Sequence, residues 1–367
     1  MLKFKQDVDL TANIKVIGIG GGGGNAINRM VDSEIKGVEF IAANTDAQAL
    51  RDSLAGYRLQ LGAHLTKGLG VGGDPEKGRQ AAEEDRDAIR ESLAGADMVF
   101  ITAGLGGGTG TGGSPVAAEI AKDLGALTVG VVTKPFMFEG PIRFKQAEQG
   151  LKNMKRKVDT LIVIPNQRLF AIIDETTPAL DAFKVADDVL RQAVQSIAEI
   201  ITSRGMINVD FADVKTIMIG AGEALMGMGW ARGKDRATKA AKAAINCPLL
   251  EDVSIAGAKG ILVNITGNRD ITMFEIKEAM DLIHNASASG ANVFFGQAFD
   301  ESLKDVVKIT VIATGFPPPR PLLEEKFSQE EFAGDSWEYK RELLREPGYL
   351  KENLRIPAIL RRKKKYR

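Results

Sequence analysis

The chain has 367 residues, 44% of them hydrophobic, and its 48 basic and 48 acidic side chains leave a formal net charge of zero. That length allows two cored domains plus a tail, and the balanced charge argues against a nucleic-acid binder or a membrane-surface protein. The single cysteine, Cys247 beside Pro248, reads as a buried, inert thiol in a reducing compartment, and two isolated histidines, His64 and His284, exclude a His/Cys zinc centre.

Met1 to Leu10 has no apolar core of a secretory signal, and no apolar run reaches the roughly 18 residues of a membrane span. Ile14 to Ile19 is a short apolar run ending in glycines and reads as a buried strand, with a helix from Ala26 to Val31 after it. Val38 to Ala43 is a second strand. Asp74-Pro75 is a cap followed by a first-turn proline and opens a helical stretch from Glu76 to Leu93. Asp97 to Ala103 is a third strand, Ser114-Pro115 repeats the cap signal for a helix to Leu124, and Leu127 to Thr133 and Thr160 to Pro165 are further strands. Strands alternating with helices predict a Rossmann-like parallel sheet over residues 14–177. A long amphipathic helix over 178–204 links it to a smaller α/β domain with a mixed sheet at 205–316. There the strand candidates are Ile261 to Thr266, Asn292 to Phe295 and Lys308 to Thr314. Residues 1–13 read as a flexible N-terminus. Three prolines from Pro317 begin a charge-rich linker to residue 355, and 356–367 is a short apolar cluster with a basic run.

Forty glycines exceed the usual share of about 7% and fall in runs. Gly18 to Asn25 sits between a strand and a helix and contains Gly-x-Gly-x-x-Gly, a setting where Gly21, Gly22, Gly23 and Gly24 can turn backbone N–H groups toward a phosphate. A dinucleotide-binding domain shares that pattern. The second loop, Gly104 to Gly113, is a further strand-to-helix turn, and Gly107, Gly108, Thr109, Gly110 and Thr111 can grip a di- or triphosphate from the other side. No Gly-x-x-x-x-Gly-Lys-Ser/Thr occurs, so phosphate binding must rest on amides, helix dipoles and a cation such as Mg2+.

Gly106 to Gly112 resembles the glycine signature of the tubulin and FtsZ superfamily. Ala43-Asn44-Thr45-Asp46-Ala47-Gln48-Ala49-Leu50, Asn208-Val209-Asp210-Phe211-Ala212-Asp213 and the tail from Ile356 to Arg362 are similar to the FtsZ family in particular. The resemblance covers residues 10 to 316 and the last dozen. It implies a GTP/GDP-binding GTPase that assembles head to tail into a homopolymer, in the cytoplasm at the mid-cell ring of a dividing bacterium. It places Asp187 and Asn166 on the guanine edge and Phe183 against the base. Glu139 and Arg143 fall at ribose and phosphate, Asn25, Asn44 and Asp46 near phosphates and Mg2+, and no metal ligand is assigned on the protein. Asn208, Asp210 and Asp213 become the catalytic loop, acting on the nucleotide of the next subunit. The resemblance makes Ile356, Pro357, Ala358, Ile359 and Leu360 a docking peptide for membrane-tethering adaptors.

The residues alone leave plainer alternatives open. Asp187 also reads as a solvated helix residue, Phe183 as core, and Asp210 with Asp213 as first-turn acids favoured by the helix dipole. Thr66 to Pro75 reads as a γ-phosphate sensor or an ordinary surface loop. An NAD-dependent oxidoreductase accounts for the first glycine loop but not the second. A non-enzymatic scaffold that binds nucleotide to hold its fold accounts for both.

Overall fold

The computed structural model describes residues 12–174, 176–202, 207, 209–250 and 255–316. Asn208, the linker and the tail peptide lie outside the described residues. β1 (Ile14–Ile19) is buried along its whole length, as a strand covered on both faces must be. It leads into α1 (Gly20–Asp32) and then β2 (Val38–Asn44), α2 (Ala47–Arg51), β3 (Tyr57–Gln60), α3 (Ala63–Thr66), α4 (Pro75–Glu84) and α5 (Arg86–Leu93). β4 (Met98–Gly104), α6 (Thr109–Asp123), β5 (Leu127–Lys134), α7 (Pro141–Lys155) and β6 (Thr160–Pro165) complete a six-stranded parallel array in the order β3-β2-β1-β4-β5-β6.

α8 (Ala179–Thr202) follows, then α9 (Phe211–Met218), β7 (Gly222–Arg232), α10 (Arg236–Ile245), β8 (Gly260–Gly267), α11 (Met273–Ala286), β9 (Asn292–Phe299) and β10 (Val306–Thr314). β7 joins the first array through three parallel residue pairs with β6 and continues as the first strand of a mixed sheet. In that sheet β10 runs antiparallel to both β7 and β8, and β9 runs parallel to β8. The α/β class, the parallel array and the mixed second sheet are those expected from the sequence.

Two cores flank the first array. One contains Ile17, Ile19, Ile101 and Ala117 under α4 to α7. The other contains Val16, Phe100, Val131 and the inner stripe of α8 (Val189, Leu190, Ala193, Val194, Ile197) and runs on into the mixed sheet. Arg236 at the start of α10 is buried and ion-paired to Glu275 at 2.8 Å, Asp270 at 3.1 Å and Asp305 at 3.2 Å, tying three segments together.

The sequence reading of single elements differs in places. The helical stretch from Glu76 is two helices, broken at Asp85, whose carboxylate accepts from Gly62 N at 2.6 Å. α6 begins at Thr109 instead of Ser114, so Pro115 lies inside it. β7 was not anticipated, because Gly222, Gly227 and Gly229 resemble a loop. Those glycines admit α10: a Cβ on Gly227 would meet Ala244 O at 2.1 Å, and one on Gly229 would meet Ala240 O at 2.2 Å.

Candidate functional site

Gly20 adopts a left-handed φ of 74°, so the chain turns straight from β1 into α1. Gly20 to Gly24 therefore form the first turns of α1, and its leading N–H groups have no intrahelical acceptor. Gly106, at φ 103°, performs the same turn from β4 toward α6. The two turns are neighbours. A Cβ on Gly20 would stand 2.9 Å from Gly110 N, and one on Gly22 would stand 3.2 Å from Gly104 N. On their other sides Gly21, Gly24 and Gly107 face no protein atom within 4 Å. Two helix N-termini thus meet at the C-terminal ends of β1 and β4 around an open space, an arrangement suited to phosphate.

The remaining loop residues divide between lining that space and building it. Gly108 faces inward, where a Cβ would lie 2.4 Å from Val71 Cγ2 and 2.9 Å from Asp74 N. Its lack of a side chain serves the packing of the 71–74 segment. Thr111 is buried, and its hydroxyl accepts from Gly106 N at 2.8 Å, which fixes the turn. Thr109 shares a 2.7 Å hydrogen bond with Thr45 and so links the second loop to the end of β2. Asn44 accepts from Asp46 N at 3.2 Å, and Asp46 caps α2 by accepting from Gln48 N at 2.8 Å. Gly21, Gly24, Asn25 and Asn44 line one small cavity with Asn28.

The loop from Thr66 to Pro75 is stitched to this segment. Gly70 N donates to Thr45 O at 3.2 Å and Ala47 N to Gly68 O at 3.0 Å. Lys67, Gly68, Gly70, Gly72 and Gly73 are all left-handed, so the glycines of this loop satisfy turn geometry. The loop lifts Leu69 to 86% exposure.

Asp187 projects from α8 toward α1, with Oδ2 3.9 Å from Arg29 Nε. Burial pushes its carboxyl up to about 6, opposed by the charge of Arg29. Asn166, directly after β6, is buried with its Oδ1 unpartnered. An orphaned acceptor and a desolvated carboxylate are what a base edge carrying N–H donors would satisfy. Phe183 meets Phe136 edge-on at 5.4 Å and Phe138 at 6.5 Å. These rings and Phe170 wall a hollow of about 380 Å³. Glu139 accepts from Phe136 N at 2.9 Å and pairs with Arg143 at 2.5 Å. Arg29, Thr45, Phe136 and Phe138 were not singled out from the sequence. Arg29 stands four residues after Asn25, and that spacing on α1 was the available signal.

Asp210 Oδ1 accepts from Asp213 N at 2.8 Å and caps α9. The far end of α9 is fixed at the starts of the parallel strands, since Met218 O accepts from Thr160 Oγ1 and Gly222 N donates to Asp159 O. The glycine turns occupy the opposite ends of those strands. Among the described residues no cluster of three or more His, Cys, Asp or Glu could hold a metal, and no helix is long and apolar enough to cross a membrane.

Residues 13–174 match the Tubulin/FtsZ family, GTPase domain, and residues 222–317 match the FtsZ family, C-terminal domain. An empty FtsZ dimer from M. jannaschii matches with a TM-score of 0.81 at 45% identity, over 84% of this chain and 89% of that one. A mutant of FtsZ from M. jannaschii gives the same score and identity, over 84% and 92%. CetZ2 from Haloferax volcanii, at 21% identity, TM-score 0.70 and coverage of 84% and 94%, shares the fold. Fold and paired glycine turns together define a tubulin-like GTPase that binds GTP and GDP, a GTP-dependent cytoskeletal protein. Within that class, the chain belongs to the FtsZ family.

Proposed function

We propose that the chain forms head-to-tail filaments in the cytoplasm, at the division ring, and hydrolyses GTP only where two subunits meet. The observation that carries this reading is the separation of two half-sites within one chain. The glycine turns and Asn166 lie at the C-terminal ends of the parallel strands, and α9, which Asp210 caps, is anchored at their starts. α8 spans 24 residues between them, a length of about 36 Å. An acidic pair so placed reaches a γ-phosphate only on another copy. A contact between unlike surfaces that does not close on itself extends as a filament. Exposed Leu69, Met137 and Phe138 beside the nucleotide end, and exposed Met273 and Phe274 at the start of α11, are unlike apolar surfaces suited to such a contact.

In this reading the open sides of Gly21, Gly24 and Gly107 cradle the phosphates through backbone N–H groups, with Thr109 adding a hydroxyl. Asn44 and Asp46 orient the water shell of Mg2+, which when bound neutralises phosphate charge. Asp187 accepts from the guanine edge, Asn166 offers its free Oδ1, and Phe183 stacks against the base. Glu139 and Arg143 hold the ribose side. Asp210 and Asp213 of the neighbour, with Asn208, orient the attacking water. Residues 14–177 serve as the nucleotide domain, α8 as the connector and 205–316 as the activating domain. Ile356 to Leu360 binds a membrane-tethering adaptor. Turnover per chain, measured over a hundredfold range of protein concentration, should be near zero below a threshold and rise above it. A constant turnover per chain would place the whole reaction inside one subunit.

A further inference from the structure

The parallel array ends in a step. β3 pairs with β2 only from Ile41 to Asn44, so among the described residues no strand pairs with Val38 to Phe40 on the side away from β1. An open groove of about 660 Å³ lies along that step, with Leu54, Gly56 and Tyr57 on its rim. The pleat gives the groove two walls of different chemistry. Val38 and Phe40 belong to the face that α1 covers, where Val31 flanks them. Leu54 stands exposed beside them, held by its N–H, which donates to Asn28 of α1 at 2.8 Å. Glu39 belongs to the opposite face, with Glu91 of α5 and the exposed ring of Tyr57. Lys15 pairs with Glu39 at 3.3 Å but is itself buried and donates to Ser92 O at 3.1 Å. The charge this wall shows to solvent is therefore that of two carboxylates.

We propose that this edge takes up an extended segment of a second protein as an added strand, and that the segment alternates apolar with basic residues. The open main chain of Val38 to Phe40 supplies the backbone hydrogen bonds, and the two walls supply the choice of sequence. A segment of that pattern satisfies both walls with one parity. Its apolar side chains fall against Phe40, Val31 and Leu54, and its Lys or Arg side chains fall on the face of Glu39 and Glu91. The ring of Tyr57 offers such a cation an aromatic face as well. Complementary charge selects against a second copy of this chain. Pairing the same edge of two copies about a two-fold axis sets Glu39 opposite Glu39, and like charges directly opposed are destabilising. The step lies at the start of β2, on the border of the array away from β6. An added strand there covers neither the glycine turns at the other ends of the strands nor α9, so the partner and GTP bind independently.

The test uses the full chain and a fluorescent peptide, Val-Lys-Val-Arg-Val-Lys-Val, followed by anisotropy. One control peptide carries Glu in place of Lys and Arg, and another holds the same residues with the basic ones grouped together. The alternating basic peptide should bind saturably, at least tenfold more tightly than either control. At saturation it should slow amide hydrogen exchange at Val38 to Phe40 about tenfold or more. Glu39→Gln combined with Glu91→Lys should weaken the peptide at least tenfold, with unchanged GTP affinity showing that the variant is folded. Absence of binding, equal binding of the controls, or binding without slowed exchange at Val38 to Phe40 would overturn the proposal. Two further results would overturn it by naming another occupant. Self-association of the nucleotide-free chain that Glu91→Lys abolishes would assign the edge to a second copy. Peptide binding that appears only after residues 1–11 are removed would assign it to the chain's own end.

Discussion

Two adjacent glycines of the second loop separate the ligand's space from the protein's own packing. At Gly107 an added methyl meets no protein atom within 4 Å, and φ is not left-handed. Gly107→Ala should leave the nucleotide-free protein as stable as the parent, or more stable by about 0.4–1 kcal/mol through the unfolded state. If phosphate fills that space, the methyl displaces it and the dissociation constant for GTP rises at least tenfold, about 1.4 kcal/mol. Gly108→Ala behaves in the opposite way. Its methyl lies 2.4 Å from Val71 Cγ2 and 3.0 Å from Asp74 O, an overpacking that costs about 1–3 kcal/mol. Urea unfolding without nucleotide, paired with equilibrium binding of a fluorescent GTP analogue, reads both effects. A folded Gly107→Ala protein that binds GTP as tightly as the parent would refute the placement of phosphate at the open side of the glycine turns.

The carboxyl of Asp187, raised from 3.8 to about 6, gives opposite pH trends for folding and for binding. Without nucleotide the folded state holds a proton that the unfolded state has released between those values, so this group's contribution to stability is present at low pH and is lost as pH rises through about 6. If Asp187 accepts from the guanine edge as proposed, nucleotide binding needs the ionised form and should weaken as pH falls through about 6. Removing the opposing charge with Arg29→Ala should move that binding midpoint upward, as titration of nucleotide affinity between pH 5 and 8 would show. Asp213→Ala should keep GTP affinity and lose turnover by about 10²–10⁴-fold. Asp210→Ala should in addition lower stability by about 0.5–2 kcal/mol through loss of the α9 cap, a difference that urea unfolding resolves. Arg236→Met leaves Glu275, Asp270 and Asp305 without their shared cation and should destabilise by about 3–5 kcal/mol in the same assay. Deleting residues 356–367 should leave GTPase activity and polymer intact while abolishing adaptor capture in a pull-down.

The first array was legible because a buried parallel strand must be apolar throughout, and β1, β4 and β5 are written that way. The glycine turns were legible because no structural turn needs five glycines in a row. β7 was not, since the feature that lets α10 approach, Gly227 and Gly229, is the same feature that marks a loop. The break at Asp85 was hidden because its cause, a hydrogen bond to Gly62, is remote in sequence. At the site, residue type pointed to the neighbourhood but not to the direction each residue faces. Gly107 and Gly108 are indistinguishable as letters, and only the packed 71–74 segment separates them. Thr111 offered a hydroxyl to the eye, and the fold uses it inside the turn. Asn166 is the converse case, a lone residue whose buried, unpartnered oxygen exists only once β6 and α8 are assembled around it.

Mixing two disabled chains tests catalysis between subunits most directly. One carries Asp213→Ala and retains its nucleotide cradle; the other carries Asp187→Ala and retains its acidic loop. Each alone should be nearly inactive. Co-assembled, they form junctions in which an intact cradle faces an intact loop, and GTP turnover should rise well above the sum of the two separate rates. Turnover equal to that sum, with both chains recovered in the same sedimented polymer, would contradict hydrolysis across the subunit contact.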